Sequence, residues 1–169
     1  LSQSKGLADL LDATEPLGDR VTLTLAGTAP GPLPAALRAP HPQRQLLGQL
    51  SQTDLLLEMQ RHDLLILPTL YEGLSLVALE ALSQGLPVLT TTRSGFQNLV
   101  DEGGCQMILL PPGDPGALRS QLESFIEQPD RLHRLAVEGQ SWAAQHTWPS
   151  YRQALREAVQ PLLESGLSV

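Results

Sequence analysis

Glu72 lies just ahead of an apolar helical stretch and Glu80 in its middle, in the segment TLYEGLSLVALEALSQGLPVL. A carboxylate among apolar residues costs free energy unless its oxygens are hydrogen-bonded, and two carboxylate oxygens match the hydroxyls of a vicinal diol. Ser75 would open the helix. The first N–H groups of a helix have no internal partner, and such an end attracts phosphate. Gly73, just before it, lets the backbone approach a bound group closely. Glu80 shares a helix face with Leu76, Val77, Ser83 and Gln84, a mixture that suits a pocket wall. From spacing alone, a solvated helix face accounts for Glu80 as well as a ligand contact does, and Glu72 reads as an ordinary loop acid.

The surrounding elements decide whether such groups can meet. Apolar runs that read as strands, at residues 21–26, 45–48, 63–68, 87–91 and 107–110, alternate with helical patterns. Helices are expected at 6–12, at 53–61 after Ser51 as cap, at 75–84 ended by Gly85 and Pro87, and at 96–101. After PPGDP the periodicity is helical to the end, with Asp114 as cap, a break at Pro129 and a last helix over 149–163. Residues 28–42 read as a loop with one helical turn. This order predicts an α/β domain with a mainly parallel sheet. Such sheets place ligands at the carboxyl ends of their strands, where Glu72 and Gly73 fall.

Composition narrows the classes. The 169 residues suffice for one domain with a substantial core. A single cysteine, Cys105, excludes an intrachain disulfide and reads as a small buried hydrophobe. Net charge is −7, which argues against broad nucleic-acid binding. With no long apolar run and no leader pattern, the expectation is a cytoplasmic domain, and the opening LSQSKGLADLL suggests a piece of a longer protein. Asp-x-Asp, GxGxxG and Walker lysine motifs are absent, and GLSLV lacks the second glycine of a nucleophile elbow. His41, His62, His133 and His146 are scattered, as surface or packing residues would be.

EGLSLVALEALSQGLPV resembles the signature of the large retaining glycosyltransferase family called group 1, with its two glutamates before a Gly-x-Pro-Val strand. KGLADLLDA, LLGQLSQTDLLLEMQRHDLLILPTLYEG and LLPPGDPGALRSQL resemble further family segments in the same order. The resemblance implies a Rossmann-like three-layer domain spanning residues 1–169, the C-terminal, nucleotide-sugar-binding half of a two-domain enzyme. Lys5 would then meet the diphosphate, its usual arginine companion falling before residue 1. Glu80 would hold the ribose hydroxyls and Glu72 those of the transferred sugar. Backbone amides of Gly73, Leu74, Ser75 and Leu76 would face the sugar and diphosphate, and Leu50 would mark the nucleobase slot.

The implied donor is a UDP-, GDP- or ADP-sugar, the transferred group a hexose or heptose, and the reaction needs no metal and no cofactor. The implied partner is the acceptor domain of the same protein, and some relatives act at membranes, so peripheral attachment at the inner face is a further expectation. Gln97 and Asn98 stand where the family carries Pro-Glu, Gln106 and Met107 where it carries Asn-Gly, and Ala29 replaces a glycine. A nucleotide-sugar epimerase of similar architecture and a non-catalytic nucleotide-binding or scaffold domain are the alternatives. Trp142 and Trp148 are expected to pack the last helical segment onto the domain.

Overall fold

The computed structural model describes residues 2–29, 31–32, 34–101 and 104–164, with the backbone alone at 162 and 164. All five expected strands form: β1 (Leu23–Ala26), β2 (Arg44–Gly48), β3 (Leu65–Leu67), β4 (Val88–Thr91) and β5 (Ile108–Leu110). The helices are α1 (Leu7–Thr14), α2 (Ala35–Arg38), α3 (Gln52–Met59), α4 (Leu76–Ser83), α5 (Gln97–Asp101), α6 (Pro115–Glu127), α7 (Pro129–Gln145) and α8 (Trp148–Glu164). The caps sit where the sequence puts them. Ser51 accepts from the Asp54 amide at 3.1 Å, Asp114 from that of Ala117 at 2.8 Å, and Gly85 leaves α4 with a φ of 74°.

Pairing is parallel throughout the named strands, but in two pieces: β1 with β2, and β3, β4 and β5 side by side. Leu65, Ile66 and Leu67 lie opposite Val88, Leu89 and Thr90, and Leu89 opposite Ile108. The expected single sheet is thus divided between β1 and β3, which share no named strand pairing.

Side chains alternate across the sheet, and two cores result. Leu64, Ile66, Leu89, Ile108 and Leu110 face one core with Leu7, Leu10, Leu11 and Leu118. Leu65, Leu67, Val88 and Leu109 face the other with Met59, Ala78, Ala81, Leu82, Phe96 and Cys105. Helix α1 packs on α6 along the first face, and α4 packs on α3 and α7 along the second. This is the three-layer α/β arrangement the strand and helix order implies.

Cys105 is buried, as its apolar surroundings suggest, and burial pushes its thiol up to about 12. The two tryptophans part company. Trp142 packs against the second core and stacks on His146 with ring centroids 3.8 Å apart. Trp148 is 63% exposed, against the expectation that it packs on the domain. It begins an exposed stripe on α8 with Tyr151, Leu155, Val159 and Leu163, and every described side chain of α8 from 151 onward is exposed. Helical periodicity showed that α8 has an apolar face; it did not show what that face touches.

Candidate functional site

The site grows from the loop after β3. Pro68 and Thr69 are buried at the strand end, and the chain then crosses the carboxyl edge to Ser75, the N-cap of α4. The start of the chain is stitched onto this edge. The Ser4 carbonyl accepts from the Leu70 amide at 2.9 Å and from the Thr69 hydroxyl at 3.0 Å. Gly6 follows with a φ of 70°, and a Cβ there would stand 1.9 Å from the Pro68 carbonyl oxygen. No side chain larger than hydrogen fits. This contact delivers Lys5 to the end of β3, where its ammonium donates to Oε2 of Glu72, 67 residues away in sequence. Lys5 is 48% exposed and Glu72 23%, so the pair is reachable from solvent and adds little to stability.

A second loop holds the first in place. After β4, the Arg93 carbonyl accepts from the Glu72 amide at 2.9 Å. Beneath it lies a run of buried hydroxyls: Thr90 donates to the Leu67 carbonyl, Thr91 to that of Thr69 at 2.7 Å, and Ser94 to that of Thr91 at 2.6 Å. Each hydroxyl buried at a strand end thereby finds a partner, which fixes the loop path. Gly95, with a φ of 78°, closes on the loop so tightly that a Cβ would stand 1.6 Å from the Gly73 carbonyl oxygen. At Gly73 itself a Cβ would meet nothing within 4 Å. The sequence pointed to Gly73 as the place of close approach. Gly95 makes a separate close contact within the protein, and Gly73 borders open space on the solvent side.

The remaining predicted residues line up from there. Leu74 and Leu76 are 47% and 54% exposed, and Ser75 is buried at 7%. The Ser75 side chain makes no capping hydrogen bond, and the first turn of α4 carries no acidic residue. The Ala78 amide donates to the Ser75 carbonyl at 3.1 Å, while the amides of Leu76 and Val77 have no partner among the described residues and remain available to an anion. One turn further, Glu80 is half-buried, and its Oε1 accepts from the Gln52 side-chain amide at 3.0 Å. Gln52 is the first residue of α3, two positions after Leu50, which is half-buried in the loop leaving β2. Lys5 and Glu72 thus meet directly at the end of β3, residues 73–76 lead from there into α4, and Glu80 within that helix is tied to α3 two positions past Leu50.

Three contributors were not legible beforehand: Gly95, Gln52 and the Thr69, Thr90, Thr91 and Ser94 hydroxyls. The turn signal in TTTRSG was the available hint for the first and last. Nothing in the sequence pairs Gln52 with Glu80. Gln97, which departs from the family pattern, hydrogen-bonds along its own helix to Asp101 at 2.6 Å. His62 and His146 each set Nδ1 against a carbonyl one turn earlier, at 2.8 Å, which is a packing role. Among the described residues, no three His, Cys, Asp or Glu side chains cluster as a metal site would, and no helix is long and apolar enough to cross a membrane.

Comparison with known proteins bears on the family and the fold. A family model described as "Glycosyl transferases group 1" matches residues 1–128. An MMP alpha-(1->4)-mannosyltransferase of Mycolicibacterium hassiacum is 29% identical over 102 residues, 60% of this chain and 25% of that protein. A D-inositol 3-phosphate glycosyltransferase of Streptomyces scabiei is 27% identical over 165 residues, 90% of this chain and 36% of that protein. The solved structure of Anabaena HepE in complex with UDP-glucose superposes with a TM-score of 0.77 at 23% identity, covering 95% of this chain and 46% of that one. The chain therefore spans less than half the length of each.

Proposed function

The chain belongs to the group 1 glycosyl transferases, and on that premise we propose that it is the donor-binding half of a retaining enzyme. That enzyme moves a sugar from a nucleoside diphosphate to an acceptor hydroxyl. The observation that carries the reading is the meeting of Lys5 and Glu72 beside the open N-terminus of α4. A cation and a carboxylate stand side by side there, where a diphosphate and the sugar attached to it would also adjoin.

The roles follow from charge. Breaking the bond between sugar and diphosphate leaves negative charge on the departing phosphate. Lys5 and the α4 amides are the groups placed to stabilise it, and the step as we write it uses no metal. Glu72 would turn from Lys5 to the sugar hydroxyls, and Glu80 would accept from the ribose diol. Leu50 would border the base, through its backbone more than its side chain. Retention requires the acceptor to attack from the face the diphosphate leaves. Acceptor-binding groups would lie in the rest of the protein, and the bare apolar stripe of α8 is the surface we assign to contact with that half. Peripheral membrane association, where it occurs, would also be a property of that half.

Calorimetric titration of the protein with UDP, GDP and ADP, and with their sugars, tests the reading. Glu80→Ala should weaken binding of the free nucleotide about tenfold, the loss of charge-assisted hydrogen bonds to a diol. Glu72→Ala should suppress transfer while changing free-nucleotide affinity only a few-fold, because the ion pair it removes is solvent-exposed. Equal effects of the two substitutions on nucleotide affinity would refute the division of roles, and absence of binding by any of the three nucleotides would refute the donor site.

A further inference from the structure

We infer that Gln52 is a positioning residue for the ribose contact, holding the Glu80 carboxylate in the one orientation that presents a free oxygen to a ribose diol. The inference rests on the donor-site reading above and adds to it a residue from a different element. Gln52 stands at the first position of α3, whose start is fixed by Ser51: its hydroxyl accepts from the Asp54 amide at 3.1 Å and lies 2.7 Å from the Asp54 carboxylate. From that fixed point its side-chain amide reaches 28 residues along the sequence to Glu80 Oε1 at 3.0 Å. Glu80 Oε2 has no partner among the described residues. A glutamate on a half-exposed helix face otherwise samples several rotamers, and fixing it is an entropic cost that ligand binding must meet. With Oε1 occupied by Gln52, that cost is met before the nucleotide arrives.

The same bond links two parts of the nucleotide site. Gln52 follows directly on Leu50 and Ser51 in the loop leaving β2, so the loop assigned to the base and the carboxylate assigned to the ribose are joined by one side chain. A second amide pair, Gln60 to Gln84 at 2.7 Å, ties α3 to α4 further from the strand ends. Loss of Gln52 therefore leaves the two helices joined.

The experiment measures, by calorimetry on the intact protein, the affinity for whichever of UDP, GDP or ADP binds most tightly and for its 2′,3′-dideoxy counterpart. The ratio of the two reports the ribose contact alone. The parent should prefer the ribonucleotide, and Glu80→Ala should bring the ratio close to one. Gln52→Ala should lower it by about three- to tenfold through weaker ribonucleotide binding, the size of one ordinary exposed hydrogen bond lost, with the dideoxy affinity unchanged. Gln52→Glu is the second variant. It keeps the shape and favours the helix start electrostatically, but it sets a like charge against Glu80, so its ratio should fall at least as far while its thermal midpoint holds.

A Gln52→Glu or Gln52→Ala protein with the parental ratio overturns the inference, and the Glu80→Ala result then still stands for the donor site. A parent that does not distinguish the two nucleotides, or a Glu80→Ala protein with the parental ratio, overturns the ribose reading and the role of Gln52 with it.

Discussion

Replacing Gly95 by alanine should damage the protein far more than replacing Gly73, although Gly73 is the glycine in the recognisable motif. At Gly95 the backbone φ is 78°, and the added methyl would lie 1.6 Å from the Gly73 carbonyl oxygen. A side chain in the left-handed region costs about 1–2 kcal/mol. Displacing the 73–74 backbone enough to admit the methyl adds a cost of the overpacking kind, about 1–3 kcal/mol. Gly95→Ala should therefore destabilise by about 2–5 kcal/mol and shift the loop that carries Glu72 and the start of α4. Gly73→Ala meets nothing within 4 Å and has no positive φ, so its stability should stay within about 0.5 kcal/mol of the parent. Its methyl projects into open space beside the donor site, and nucleotide-sugar affinity should fall without loss of fold. Urea unfolding followed by tryptophan fluorescence, paired with calorimetric titration of the same proteins, separates the two effects. A Gly73→Ala midpoint as low as that of Gly95→Ala, or a Gly95→Ala midpoint equal to the parent's, would refute the assignment of the close contact.

Three further outcomes are expected. Lys5→Met should weaken nucleoside-diphosphate affinity by about an order of magnitude and flatten its dependence on salt, read by titration at two ionic strengths, because the lost interaction is between exposed charges. Leu82→Ala, at a side chain with no exposed surface in the layer behind the site, should cost about 2–5 kcal/mol in chemical unfolding, the transfer and cavity terms together. Cys105 should resist alkylation at pH 8 in the folded protein and react on denaturation, since burial raises its thiol from 9.0 to about 12. The sign follows: below pH 9 both states keep the proton, and as pH rises from there towards 12 the unfolded chain ionises first. Stability should fall across that interval in the parent and less in a Cys105→Ala protein, measured by unfolding at pH 8, 10 and 11.

How far the site could be read in advance differs residue by residue. Glu72, Gly73, Ser75 and Glu80 share one strand-to-helix connection, and a segment that short shows its chemistry in residue type and spacing. Lys5 owed its assignment to a resemblance, since no local rule relates it to a residue 67 positions away. Gln52 was invisible because its partner Glu80 belongs to the next helix, and an exposed glutamine at a helix start has many ordinary reasons to be there. Trp148 was misjudged because an apolar stripe at helical spacing says that a face will seek a partner, not which partner.

By itself, the sequence determined the strands and helices, their parallel order, the caps at Ser51 and Asp114, and the placing of Glu72 and Ser75 at a strand's carboxyl end. These depend on periodicity and on local backbone chemistry, which act over a few residues. Only the tertiary structure decided that Lys5 reaches Glu72, that Gln52 holds Glu80, and that Gly95 closes tightly on the Gly73 backbone. Each of those is a contact between separate loops or helices, set by the placing of two chain segments to within about an ångström. Such distances are fixed by the whole folded core and leave no trace in any one stretch of residues.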